Sequence, residues 1–170
     1  MGKYLSKKQK KKKTGWVIFI IVGLITVITA GIWYLGQQQS NQQSKETIEQ
    51  IQENPPENIS EEANTLIAEY HGKYNKLTGY GSIEGLNENE AKRISVMLEK
   101  DLEQVMAEGV ENPKLAEDFT SILDLAKATN HKMDKEKVRL LHRYFHDLDI
   151  AINKYDQTND VFGVTKTLGK

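Results

Sequence analysis

The sequence predicts an all-α protein: one N-terminal transmembrane helix, a flexible linker and a small antiparallel bundle of about four helices. Three observations predict it. Residues 16–35, WVIFIIVGLITVITAGIWYL, hold no charged side chain. The stretch that follows, QQQSNQQS, is polar, uncharged and almost without apolar content. From Ser60 to Tyr155, apolar residues recur at helical spacing, and no stretch alternates as a half-buried strand does. The segments are then a basic tail over 1–15, the spanning helix over 16–35, a polar linker over 36–58, the bundle over 59–156 and a C-terminal tail over 157–170.

The apolar run fits a membrane by length. At 1.5 Å per residue, twenty residues in a helix reach roughly 30 Å, the thickness of a bilayer's hydrocarbon core. Trp16 at one end and Trp33 with Tyr34 at the other suit the two interfaces, where amphipathic rings settle. Before the run stand Lys3, Lys7, Lys8, Lys10, Lys11, Lys12 and Lys13, with no acid among the first thirteen residues. A lysine run of this kind also occurs in nucleic-acid and nuclear-targeting patches. Directly before a spanning helix it is the signal that keeps the N-terminus cytosolic, with the lysines on anionic lipid headgroups. Of 23 basic residues those seven lie in the tail, which leaves 16 against 24 acids in the remainder. An acidic domain of that kind argues against nucleic acid as a partner, since phosphate binding is driven by lysine and arginine.

A cleaved secretory signal is the rival reading. Against it, the apolar run is longer than a signal's core. The best small-residue cleavage site, Ile28-Thr29-Ala30, lies inside the run with Ile32, Trp33, Tyr34 and Leu35 still to come. An uncleaved anchor is expected. Thr26 and Ala30 form a small-xxx-small pair, a common chance feature of apolar segments. The chain has no cysteine, which excludes disulfides, thiolate metal sites and cysteine-linked lipid.

Residues 36–58 read as a flexible spacer closed by Pro55-Pro56, with at most a short helix over 45–53 carrying Ile48 and Ile51. Asn58-Ile59-Ser60 is a glycosylation triplet, relevant only in a eukaryotic secretory pathway. Ser60 opens the first bundle helix as an N-cap, with Glu61 and Glu62 where the helix dipole favours acids. Its stripe is Ala63, Leu66, Ile67, Tyr70, Tyr74 and Leu77, and Gly79 and Gly81 stop it. Asn87 caps the second, striped by Ala91, Ile94, Leu98, Leu102 and Val105 and ended by Gly109. Pro113 suits the first turn of the third, with Leu115, Phe119, Ile122, Leu123 and Ala126. Asp134 caps the fourth, carrying Val138, Leu141, Phe145, Leu148, Ile152 and Tyr155. Four such helices on short links make a bundle or two αα-hairpins. The tail brings Val161, Phe162, Val164 and Leu168, which favour an extended segment docked on the bundle over a frayed end.

Chemistry is sparse. His142 and His146 stand at i, i+4 on one helix, with Asp149 at i+7 from His142, the spacing of a zinc grip. The metalloprotease form needs glutamate directly after the first histidine, where this chain has Arg143. The helical wheel puts His142 and Asp149 at the edge of the apolar stripe and His146 further out. The plainer expectation is therefore a polar border, with His142 and Asp149 as a local pair and no cofactor. Di-iron chemistry needs Glu-x-x-His, and the residues three before the histidines are Ala68, Ala128, Arg139 and Arg143. The loop from Gly79 to Gly85 matches no phosphate-binding spacing, and Ser82 has no nucleophile elbow. Tyr70, Tyr74 and Tyr80 with His71 suggest either core packing or a groove, with core packing the commoner outcome.

No catalytic template fits. The sequence leads to a single-pass protein with a cytoplasmic N-terminus and an extracytoplasmic helical domain. That domain is expected to serve as an interaction or structural module, with the lipid bilayer and another protein of a bacterial-type envelope as partners. The alternative is a metal-assisted envelope hydrolase using His142 and His146.

Overall fold

The computed structural model describes residues 5–156 and 160–168; the side chains of 5–16, 40, 41, 43, 52 and 80 lie outside the description. The expected roles of Lys7, Lys8, Lys10, Lys11, Lys12, Lys13, Trp16 and the Tyr80 side chain fall on those positions. The described chain is helical, with five α-helices and one 3₁₀ segment and no strand. It divides into two units, residues 1–43 and 44–170.

Helix α1 runs Leu5–Glu53. The described residues of its apolar part are exposed: Phe19 by 82 % and Trp33 by 71 %. Thr26 and Thr29 fold their hydroxyls back onto the helix, donating to Gly23 O at 2.8 Å and Ile25 O at 3.0 Å. The helix does not stop at Leu35. The segment expected as a flexible spacer stays helical to Glu53, and the short helix expected over 45–53 is its last part. Residues 37–53 contain neither glycine nor proline and are rich in Gln and Glu, so a helix already nucleated by the apolar run propagates at little cost. Pro55-Pro56 ends it, because proline lacks the amide and clashes with the preceding turn.

The second unit holds the bundle. Helix α2 spans Glu61–Thr78, a 3₁₀ segment Gly79–Gly85, α3 Glu88–Glu108, α4 Pro113–His131 and α5 Lys135–Asn153. Each α-helix starts where a short polar side chain takes up an orphan amide. Ser60 Oγ accepts from Ala63 N, Asn87 Oδ1 from Glu90 N, Asn112 Oδ1 from Leu115 N and Asp134 Oδ1 from Glu136 N, all at 2.9–3.1 Å. The wide glycine turn after α2 is this 3₁₀ segment, with Ile83 turned into the core. Helices α2 and α5 pack most extensively, as do α3 and α4, and the links α2–α3 and α4–α5 close the ring.

The core is the sum of the four stripes. At its centre Phe145 of α5 stacks on both tyrosines of α2, with ring centroids 5.6 Å from Tyr70 and 5.8 Å from Tyr74. Both tyrosines are fully buried and reach α3: the Tyr70 hydroxyl donates to Asp101 Oδ2 at 2.7 Å, and Tyr74 shares a 3.2 Å hydrogen bond with Ser95. These two are core residues. Burial, and for Tyr70 the Asp101 carboxylate as well, pushes each phenol above its ordinary range, so they act only as neutral hydrogen-bonding groups.

Truncation of Phe145 removes the ring that both tyrosines rest on. Phe145→Ala should destabilise the bundle by about 3–5 kcal/mol. Urea unfolding of the detergent-solubilised chain, followed by near-ultraviolet tyrosine dichroism, measures it; a loss below about 1 kcal/mol would show that the aromatic stack is not the centre of the core.

Candidate functional site: a buried histidine cluster beneath a clasped C-terminal segment

Helix α5 turns two faces inward. Val138, Leu141, Phe145 and Leu148 face the hydrophobic core, and His142, His146 and Asp149 lie beside them along the flank that meets α2. The wheel placed His146 outermost; in the fold it is buried, at 6 % exposure, and His142 is the more open of the two. The reason is tertiary. The C-terminal segment covers this flank, with Phe162 packing edge-on against His146 at 4.9 Å and against His142 at 6.2 Å.

Helix α2 supplies a third histidine. His71 follows core Tyr70 directly and is 3 % exposed. Its ring lies 5.1 Å from His146 and 5.7 Å from His142, which are themselves 5.7 Å apart. The expected local pair of His142 with Asp149 is not what forms. Asp149 Oδ2 instead accepts from His71 Nδ1 at 2.7 Å, across the α2–α5 interface. Its Oδ1 accepts from Asn153 Nδ2 at 2.7 Å, and the same amide reaches Asn64 O of α2 at 3.3 Å. Because a carboxylate only accepts, His71 carries a proton on Nδ1, which leaves Nε2 as the ring nitrogen turned away from Asp149. Tyr155 closes the end of the cluster, edge-on to His71 at 4.7 Å and to His146 at 6.0 Å. It is aimed there by the left-handed turn at Lys154 (φ 57°), which lets the Lys154 and Tyr155 amides both donate to Asp149 O.

His71 Nε2, His142 Nε2 and His146 Nδ1 are buried with no hydrogen-bond partner. The nearest acid to His146 Nδ1 is Asp147 Oδ1 at 3.8 Å, beyond hydrogen-bond reach. Burial, the neighbouring His146 and His71 and the Arg143 cation together lower the His142 pKa to about 4, only partly opposed by Asp147. At neutral pH His142 is therefore an uncharged imidazole.

Two further carboxylates hold the segment over the cluster. Asp147, fully buried on α5, accepts from Phe162 N and Val164 N, each at 2.9 Å. Gly163 lies between them at φ 65°, a conformation that costs glycine nothing and turns both amides to one carboxylate. Asp118, 1 % exposed on α4, accepts from Lys166 N at 2.7 Å, Thr167 N at 2.9 Å and Thr167 Oγ1 at 2.6 Å. A buried carboxylate is tolerated when donors replace its water, and these five are charge-assisted hydrogen bonds. Arg143 lies over the outer face of Phe162 at 5.2 Å. Sequence reading missed both aspartates. The available signal was an acid set directly beside apolar-stripe residues, Asp118 before Phe119 and Asp147 before Leu148.

Comparison with protein-family models, curated proteins and solved structures returns no match. The chemistry available to the cluster follows from its atoms: three imidazole rings, that of His142 uncharged, one carboxylate oriented on His71, and an aromatic lid.

Asp147→Asn keeps the shape but exchanges part of the acceptor for a donor, so the Phe162 and Val164 amides should lose at least tenfold in hydrogen-exchange protection while the α3 core amides keep theirs. Unchanged protection would mean that the carboxylate does not hold the segment. A second expectation concerns pH. Between pH 6.5 and 4 the unfolded His142 takes up a proton that the folded one refuses, so stability falls on acidification through that window. The slope is bounded by about 1.4 kcal/mol per pH unit for one proton, reduced by the solvent reaching this partly open ring. Wild type and His142→Asn, unfolded in urea at several pH values, should differ in that slope, and parallel pH profiles would contradict it.

Proposed function

We propose that this is a single-pass membrane protein whose lysine-rich N-terminus is cytoplasmic and whose helical domain stands outside the membrane as an interaction or structural module of the cell envelope. The observation that supports it is α1. One helix of the described chain is long and apolar enough to cross a bilayer, and none of its apolar window is buried in the protein. A core helix of a soluble protein meets the same length test but is covered by its neighbours. Here Val27 is 70 % exposed and Ile32 66 %, a cost in water that a hydrocarbon surrounding removes. The Thr26 and Thr29 hydroxyls bond to the helix itself, as a segment in lipid requires.

Direction follows from charge. Seven lysines precede the apolar run and the chain beyond that run is acidic, the asymmetry that retains the N-terminus inside. A module that binds a protein rather than a substrate suits a domain whose Tyr70 and Tyr74 rings are packed into its core.

The metal-assisted hydrolase has one observation in its favour, the meeting of His71 with His142 and His146. Among the described residues, the acids beside the cluster are already engaged. Arg143 follows His142, and Asp147 and Asp149 are occupied by backbone amides and by His71 with Asn153. The module reading is therefore preferred.

Protease added to intact spheroplasts tests the topology. The bundle should be digested while a reporter fused to the N-terminal tail survives; full protection of the bundle would overturn the orientation. Crosslinking in cells then tests the module reading, with recovery of the monomer alone counting against it.

A further inference from the structure

We infer that His71, His142 and His146 form a binding site for one divalent transition metal ion, zinc by preference, with Asp149 as the residue that positions His71. The inference is independent of topology. It rests on three observations of the same cluster.

The first is spacing. Zinc–nitrogen bonds of 2.0–2.1 Å in a tetrahedral arrangement put the centroids of three ligating imidazoles about 5 Å apart. The three rings here are 5.1, 5.7 and 5.7 Å apart. The second is the set of buried nitrogens without hydrogen-bond partners, one on each ring. Buried polar atoms are paired with few exceptions, and three exceptions on three adjacent histidines have a common explanation in an ion that accepts lone pairs. The third is the Asp149–His71 hydrogen bond at 2.7 Å. A carboxylate on the far nitrogen fixes the tautomer and the ring direction and raises ligand basicity, the usual support of a metal-bound histidine.

Among the described residues no three such donors already converge as the rings stand. Convergence requires rotation about the imidazole χ2 torsion, chiefly of His142, whose ring lies only 25° from parallel to His71. That torsion is broad and nearly two-fold, and His142 is the most open of the three. His71 stays where Asp149 holds it. Arg143 opposes the ion's charge, and its position over Phe162 turns it toward the covering segment; Asp149 and Asp147 offset it. Three imidazoles without thiolate suit zinc, copper or nickel over calcium or magnesium, and leave a fourth coordination position beneath Phe162 and Tyr155. The ion would staple α2 to α5.

The test uses the full-length chain in detergent, carrying a histidine-free tag and freed of metal with a chelator. Zinc is titrated by calorimetry, and cobalt(II) by the visible bands of a four-coordinate ion. Wild type should take up one equivalent of either, with a rise in Tm that the chelator reverses. His131→Ala, at the exposed fourth histidine, should behave as wild type. His71→Gln, His142→Gln and His146→Gln should each weaken binding at least tenfold, and Asp149→Asn by about 10–100-fold. Failure of wild type to bind zinc or cobalt, or undiminished binding by the variant lacking all three histidines, overturns the site. Should a variant lose its helical dichroism, wild-type stoichiometry and the reversible rise in Tm decide the matter.

Discussion

The hydrogen bond from His71 to Asp149 is the constraint around which the second unit is arranged. It joins α2 to α5, the most extensively packed helix pair, across 78 residues of sequence. A histidine and an aspartate placed this deep are each costly to desolvate, and each is acceptable only because the other is there. The bond also fixes rotation. With Asp149 held against α2, Phe145 one turn earlier must lie between Tyr70 and Tyr74, and His142 and His146 must lie beside His71. Apolar stripes alone leave a helix free to turn by some tens of degrees. A buried polar pair singles out one rotation, and Asn153, bridging Asp149 to Asn64 O, reinforces it.

The same device recurs where the chain ends. Asp147 and Asp118 have no basic side chain at hydrogen-bond distance among the described residues, and both are satisfied by amides of residues 162–167. A segment without regular secondary structure has amides to donate, and two buried carboxylates have lone pairs to fill. Each solves the other's problem. The consequence is a lid of Phe162 over the histidines, so that access to the cluster depends on the last residues of the chain.

Much of this architecture was legible in the sequence. Ser60, Asn87 and Asp134 announced their helices because capping is local chemistry, and the apolar stripes identified the core almost residue for residue. What was not legible was non-local. His146 looked solvent-facing because a helical wheel knows nothing of a segment that folds back sixteen residues later. Asp149 looked like a partner for His142 because i, i+7 neighbours are visible and His71 is not. The extension of α1 beyond Leu35 was missed for another reason: polar, uncharged residues read as a spacer, although a helix already nucleated needs only the absence of glycine and proline to continue. In the site, two histidines and an aspartate were singled out, but the third histidine that gives them meaning lay in another helix.

The account depends most directly on the coupling of His71 to Asp149. A double-mutant cycle with His71→Ala, Asp149→Ala and the pair, read as unfolding free energy in detergent, isolates it. The account predicts a coupling of about 1–3 kcal/mol, with the double variant clearly less damaged than the sum of the single ones. Simple additivity of the two losses would contradict it.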